Sequence, residues 1–215
     1  MGQRIVYART MSDTAPRPVP RASKPRRPRD VSRAASRSAI LAAARKVAAR
    51  QGARDLSLRG VAAEAGFAPA ALYGYFRNKD ELLLALAADD LTVLARAMRE
   101  AGAHGLAGAL AAALAMLKDA ETMAAASAAL AGLPGEASGL ADAERLFNGR
   151  LIAALKALSD AGGMPTGSRE SQCDVVLVAA ALAGLALMAR SGRLGALGFS
   201  APEMIARLDS RFGKG

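Results

Sequence analysis

The residues whose types and spacing could do chemistry lie between positions 57 and 79. Ser57 and Lys79 each stand where a predicted helix begins, so a hydroxyl and an ammonium group can join backbone amides in holding phosphate. For Ser57 the alternative is a helix cap that makes no such contact. Between them, Ala68, Pro69 and Ala70 are small and apolar, which suits close approach to DNA and contact with thymine methyl groups. The stretch predicts nucleic-acid binding.

Groups suited to catalysis are not brought together by the sequence. The acidic residues after position 80 are scattered, Cys173 has no histidine nearby in the sequence, and no phosphate-cradling glycine loop occurs. His104 is too solitary for a metal site, and a single cysteine allows no intrachain disulfide. We therefore expect no enzyme, metal or cofactor, and a cytoplasmic location.

The charge distribution supports a dedicated nucleic-acid module. Residues 1–79 hold 17 Lys and Arg against 4 Asp and Glu, whereas residues 80–215 hold 12 against 15. A uniformly basic surface would be ambiguous between nucleic acid, membrane and solubility. Segregation of the positive charge to the first third indicates a polyanion-binding domain at that end.

Signals for helix boundaries surround the candidate residues. An apolar helical pattern from Ser36 meets a stop at Gly52. After a turn at Arg77 and Asn78, a long helix begins near Lys79, and its predicted apolar face carries Leu82, Leu86, Val93 and Ala97.

Two short helices are predicted between these longer ones. Ser57 can cap a helix over 58–65 that Gly66 ends, and Pro69 suits the first position of another helix to about Tyr75. Two helices of about two turns joined by a glycine turn form a helix-turn-helix.

Residues 56–83, LSLRGVAAEAGFAPAALYGYFRNKDELL, resemble the helix-turn-helix signature of the TetR family of transcriptional regulators. The shared features are a hydroxyl residue opening the second helix, Ala-x-x-Ala-Gly at its end, Leu-Tyr-x-Tyr-Phe and then Lys-Asp-Glu-Leu. The resemblance covers about residues 36–86. It implies a homodimer that binds a double-stranded DNA operator and is released by a small-molecule effector.

The resemblance also implies roles for individual side chains. Arg59 matches a position that often reaches a base edge, although an ordinary phosphate contact stays open. Tyr73 and Tyr75 match positions that touch the DNA backbone, with core filling as the alternative for each. Arg37, at the start of the first helix, is a weaker phosphate candidate than Ser57 or Lys79.

The sequence departs from the family pattern at three positions. Ala68 stands where a capping Ser is common, Gly60 where a polar residue is common, and Gly74 where a bulkier residue often meets DNA. Losing a cap costs about 1 kcal/mol. The departures put the operator sequence in doubt, and we keep Gly74 among the candidate DNA contacts.

We expect an all-α protein in three parts: a disordered basic arm over 1–32, the helix-turn-helix domain over 33–79, and a helical effector-binding and dimerisation domain over 80–215. The arm could track phosphates or be a solvated tail. The apolar run 175–189 is too short and too alanine-rich for a membrane span and predicts a buried helix. By resemblance, the last two long helices form the four-helix bundle of the dimer, with intramolecular core as the alternative.

An effector would contact side chains of the helices between Gly102 and Leu158. The candidates are Met116, Met123, Phe147 and Met188, because Met adapts its shape to a bound molecule. Plain core packing is the alternative for each. Few charges fall in this region, so we expect a largely apolar effector. The competing hypothesis is a constitutive DNA-binding or architectural dimer whose C-terminal helices respond to no ligand.

Overall fold

The computed structural model of the chain describes residues 28–118, 141–164 and 167–213. Within these ranges every regular element is helical and no strand occurs, which confirms the all-α prediction. A 3-10 turn at Gly102–His104 separates the fourth and fifth helices. The helices are α1 (Pro28–Gln51), α2 (Leu58–Ala65), α3 (Pro69–Leu72), α4 (Lys79–Ala101), α5 (Gly105–Leu117), α6 (Ala141–Ala161), α7 (Arg169–Arg190), α8 (Arg193–Ala196) and α9 (Ala201–Phe212).

Helix α1 begins earlier than its apolar pattern predicts. It starts at Pro28 rather than Ser36, because no Gly or Pro follows until Gly52 and Pro is well suited to a first helical turn. Residues 28–32, expected in the arm, are therefore helical, and residues 1–27 lie outside the described residues. Gly52 ends the helix as predicted, with φ at +83°, a conformation that favours glycine.

The helix-turn-helix forms where its capping residues predict it. The Ser57 hydroxyl accepts a hydrogen bond from the Gly60 amide at 3.1 Å, and Gly66 ends α2 with φ at +72°. Pro69 opens α3, which ends at Leu72 rather than near Tyr75. Beyond Leu72 the chain continues in hydrogen-bonded turns, so the segment stays compact although it is not regular helix.

A first hydrophobic core holds α1, α2, α3 and the beginning of α4 together. Its large, fully buried side chains include Ile40, Leu56, Leu72, Phe76 and Leu82, each no more than 2% exposed. Burial of each such side chain stabilises the fold by about 1.5–3 kcal/mol. This core fixes the orientation of α2 relative to α3 and leaves their other faces in solvent.

Helix α4 belongs to two cores. Leu82 and Leu86 near its start are part of the first core, whereas Leu91, Leu94 and Met98 belong to a second core in the C-terminal part. Helix α4 therefore links the two cores.

The predicted apolar face of α4 is wrong in its second half. Val93 is 49% exposed and Ala97 is only half-buried, although both continue the helical spacing from Leu86. The packing partner of α4 changes along its length, from α1 near its start to α6 further on. The buried face therefore turns toward Leu91 and Leu94.

The second core is built by α4 to α9, with α8 contributing Leu194. Alanine supplies many of its contacts, which lets the helices approach closely. A polar contact joins α9 to the beginning of α5: the Asp209 carboxylate accepts a hydrogen bond from the Ala107 amide, in the first turn of α5, at 3.1 Å. A carboxylate there compensates the unsatisfied amides of the α5 N-terminus, where His104 offers no side-chain cap.

Helix α7 is less buried than predicted. Its inner face contributes Val175, Val178 and Leu182 to the second core, but its outer face exposes Leu177 and Leu187 by 58% and 65%. Residues 79–117 and helix α7 also meet the length and hydropathy of a membrane span. The 3-10 turn at Gly102–His104 interrupts the first of these stretches, and both stretches contribute side chains to the second core.

Candidate nucleic-acid interface

The start of α3 presents small apolar side chains to solvent. Ala68, Pro69 and Ala70 are exposed, and Ala68 has the extended backbone of a cap residue without a side-chain cap. Leu72 faces the opposite way and is completely buried in the first core. The buried Leu72 anchors the helix and the first residues remain available for contact with another molecule.

Two candidate residues follow at the end of the same segment. Tyr73 is 59% exposed and Gly74 is exposed as well. An exposed Tyr hydroxyl can donate to a phosphate oxygen, while its ring can lie against the sugar-phosphate chain. The structure therefore groups Ala68, Pro69, Ala70, Tyr73 and Gly74 along one short exposed segment.

Tyr75 is placed differently from Tyr73. Its ring is half-buried and meets the Phe67 ring edge to face, with the centroids 6.3 Å apart. The Tyr75 ring also has a cationic neighbour, because the Arg33 guanidinium carbon lies 5.3 Å from the ring centroid. The Tyr75 ring thus packs within the domain, and contact of its hydroxyl with the DNA backbone stays a prediction.

Arg33 is a site residue that the sequence reasoning missed. Its Nη2 atom donates a hydrogen bond to the Gly74 carbonyl oxygen at 2.9 Å, in addition to its contact with Tyr75. The prediction that the helical pattern begins at Ser36 left Arg33 outside the first helix. The signal that could have found it is Pro28, which suits the first turn of a helix.

The hydroxyl of Ser57 and the guanidinium of Arg59 lie at the start of α2. Ser57 is exposed and caps the helix through Gly60, so it fulfils the capping role and its hydroxyl hydrogen remains available as a donor. Arg59 is exposed, two residues further along. Both side chains are accessible to DNA.

Lys79 and Arg37 make contacts within the protein. The Lys79 ammonium donates to the Arg54 carbonyl oxygen in the connection between α1 and α2. The Arg37 guanidinium carbon lies 5.2 Å from the centroid of the Phe76 ring, and the residue is half-buried. Each holds a part of the domain in place, and neither side chain is fully extended into solvent.

Ion pairs between α1 and α2 neutralise part of the basic charge of this domain. Glu64 of α2 lies 2.6 Å from Arg50 and 3.8 Å from Lys46, both in α1. The hydrogen bond from Arg50 outweighs partial desolvation and holds the pKa of Glu64 below its usual 4.5. The pairs fasten α2 to α1.

The candidate effector residues fall in or beside the second core. Phe147 is 6% exposed, and Met116 and Met188 are half-buried against the same core. Met123 lies outside the described residues. Among the described residues, no group of three or more His, Cys, Asp or Glu side chains could hold a metal ion.

Comparison with known proteins agrees with this geometry. The family model of bacterial regulatory proteins, tetR family, matches residues 40–86. No curated protein sequence matches the chain. The matched residues extend from the middle of α1 through the helix-turn-helix to the first turns of α4.

Solved structures are similar over most of the chain. A TetR transcriptional regulator from Rhodococcus sp. RHA1 has a TM-score of 0.59 and 19% identity, with 83% of this chain and 94% of that chain covered. A transcriptional regulator from Rhodococcus sp. Rha1 has a TM-score of 0.58 and 27% identity, covering 82% and 94%. A TetR-family regulator from Streptomyces coelicolor has a TM-score of 0.56 and 20% identity, covering 82% and 99%. Residues 40–86 therefore match the tetR family of bacterial regulatory proteins, and the chain shares its overall fold with TetR-family regulators.

Proposed function

We propose that this regulator is a repressor that binds a palindromic operator as a homodimer and is released by a small, largely apolar molecule. The observation that carries the DNA-binding part is the exposed segment from Ala68 to Gly74, held by a buried Leu72. A two-fold dimer presents two such segments to successive major-groove faces about 34–36 Å apart, or a multiple of that distance. The protein acts in the cytoplasm, where it has access to DNA.

The outer face of α7 supports the homodimer. Val176, Leu177 and Leu187 are 55%, 58% and 65% exposed. Exposed apolar side chains grouped on one helix face are typical of a surface that another molecule covers. Ala183 and Gly184 are exposed between them, and a Cβ added at Gly184 would meet nothing within 4 Å. Small residues flanked by larger apolar ones suit close packing against the same face of a second copy.

The effector part rests on helix α4 and the second core. A molecule inserted beside Met116, Phe147 and Met188 displaces the helices that pack on α4, and packed helices move as rigid bodies. Because α4 also belongs to the first core, its tilt changes the separation of the two helix-turn-helix units of a dimer. Linkage requires operator DNA to lower effector affinity by the same factor by which the effector lowers operator affinity.

The DNA-binding part is tested by selection from a library of random-sequence duplexes. The protein should enrich one inverted repeat, and the enriched duplex should bind with higher affinity than an unrelated duplex at the same salt concentration. The effector part is then tested by titrating apolar molecules into the complex. Enrichment of no sequence would contradict specific operator binding, and equal effector affinity with and without DNA would contradict release.

A further inference from the structure

The exposed start of α3 lacks side chains that can form hydrogen bonds. Ala68, Pro69, Ala70 and Ala71 are all exposed, so the segment offers methyl groups and a pyrrolidine ring. In a helix-turn-helix, the N-terminal residues of the second helix contact base edges in the major groove. The base contacts available to these four residues are therefore apolar ones.

One DNA base offers a matching apolar group in the major groove. Guanine, cytosine and adenine present hydrogen-bond donors and acceptors there, whereas thymine adds its C5-methyl group. An apolar side chain placed against a donor or acceptor displaces water without replacing the hydrogen bond that the water made. The start of α3 therefore favours thymine over the other bases.

The size of the side chains permits the short distance that such contact requires. The methyl group of Ala70 is as short as a side chain other than glycine can be, and Pro69 adds a compact ring. Gly74 at the end of the segment is also exposed, and a Cβ there would lie 3.2 Å from the Ala71 carbonyl oxygen, closer than most such contacts. Nothing along the exposed segment before Tyr73 extends far enough to hold the helix away from the bases.

We propose that Pro69 and Ala70 read thymine methyl groups, so that each half-site of the operator carries thymine at the base pairs that the start of α3 faces. This inference rests on the DNA binding proposed above and adds the chemistry of the bases. Hydrogen-bonded readout then comes from exposed donors nearby in the sequence, which include Arg59 of α2 and the hydroxyl groups of Ser57 and Tyr73.

The test replaces thymine by deoxyuridine, one position at a time, in the duplex enriched from the random library. The substitution removes the methyl group and keeps all hydrogen bonds of the base pair. Affinity should fall about fourfold at one or two symmetry-related positions per half-site, which is the effect expected for one buried methyl group. Deoxyuridine elsewhere in the duplex serves as the control and should change little.

A protein variant assigns the contact to its residue. Ala70→Gly should weaken binding to the thymine duplex and abolish the difference between thymine and deoxyuridine at one position. Comparing two duplexes with the same variant cancels any loss of helix stability. Ala111→Gly, an exposed alanine of α5, is the matched control and should leave the difference between the duplexes unchanged.

The possible outcomes separate this inference from the function on which it rests. An enriched duplex without thymine in its half-sites would overturn methyl reading while leaving operator binding intact. The same holds for a duplex whose affinity does not respond to deoxyuridine at any position. Failure to enrich any duplex would contradict specific DNA binding and this inference together.

Discussion

Arg45 of α1 and Asp90 of α4 are joined by two hydrogen bonds, from Nε at 3.0 Å and from Nη2 at 2.7 Å to one carboxylate oxygen. Asp89 accepts a further bond from Nη2 at 2.6 Å. Partial burial lowers the pKa of Arg45, but the hydrogen bonds and charges of both carboxylates outweigh it and raise that pKa. The link fastens α1 to the helix that both cores share.

Loss of this link should destabilise the fold more than loss of a surface pair. Arg45→Ala leaves two neighbouring carboxylates without their shared partner, and we expect the free energy of unfolding to fall by about 1 kcal/mol after allowance for partial exposure. Arg96→Ala is the matched control, because its pair with Glu100 is 76% and 66% exposed. Urea unfolding measures both, and equal losses would contradict a structural role for the link.

Removal of Arg33 should weaken DNA binding without changing its salt dependence. Arg33→Ala frees the Gly74 carbonyl oxygen and one face of Tyr75, so the exposed segment loses its fixed position. We expect roughly tenfold lower affinity for the enriched duplex, equivalent to about 1.4 kcal/mol, and partial rescue by Arg33→Lys. Fluorescence anisotropy at several salt concentrations gives the slope. A slope smaller by about 1 would identify Arg33 as a phosphate contact instead.

Arg59 and Lys79 should differ in what they contribute to binding. Arg59→Ala should relax the preference at one base position and cost about 1–3 kcal/mol there. In the wild type we expect the Lys79 ammonium to leave the Arg54 carbonyl oxygen and bind a phosphate when DNA is present. Lys79→Ala should therefore weaken binding to all sequences and reduce the salt slope by about 1. Affinities for a panel of single-base operator variants measure this. An even loss across the panel for Arg59→Ala would contradict base reading.

The pairing of Glu64 with Arg50 should make the stability of the fold depend on pH. The folded-state pKa of Glu64 lies below its usual 4.5, so the unfolded chain takes up the proton first as pH falls. The stabilisation is present above about 4.5 and is lost as pH falls through the folded-state pKa. Urea unfolding of wild type and Glu64→Gln should therefore differ at pH 7 and converge in acid. In an Arg50→Ala background the difference at neutral pH should shrink, and an undiminished difference would contradict the pairing.

Local signals predicted the helix-turn-helix well because they act within a few residues. Ser57 caps α2 through Gly60, Gly66 ends it in the left-handed region, and Pro69 opens α3. These features depend on backbone geometry and on neighbours three or four residues away. The family resemblance drew on the same residues and is confirmed by the family match.

Contacts between elements that are distant in the sequence could not be predicted from such local signals. Arg33 and Gly74 are 41 residues apart, and Lys79 bonds to a carbonyl 25 residues before it. The exposure of Val93 depends on where α6 packs along α4, which the periodicity of α4 alone does not contain. The open face of α7 has the same origin, because an apolar pattern does not state whether its partner lies in the same chain.

Binding of one operator by two copies joined through α7 is tested most directly by comparing the affinity of the protein for two duplexes. One carries both half-sites of the enriched sequence, and the other has one half-site scrambled. Sedimentation velocity with labelled DNA should show two protomers on the intact duplex and much weaker binding to the scrambled one. Leu187→Asp places a charge on the outer face of α7 and should give monomers that bind both duplexes equally weakly, whereas Val93→Asp, on an exposed part of α4, should behave as wild type. Equal affinity of the wild type for both duplexes, or a Leu187→Asp variant that remains dimeric, would contradict the account.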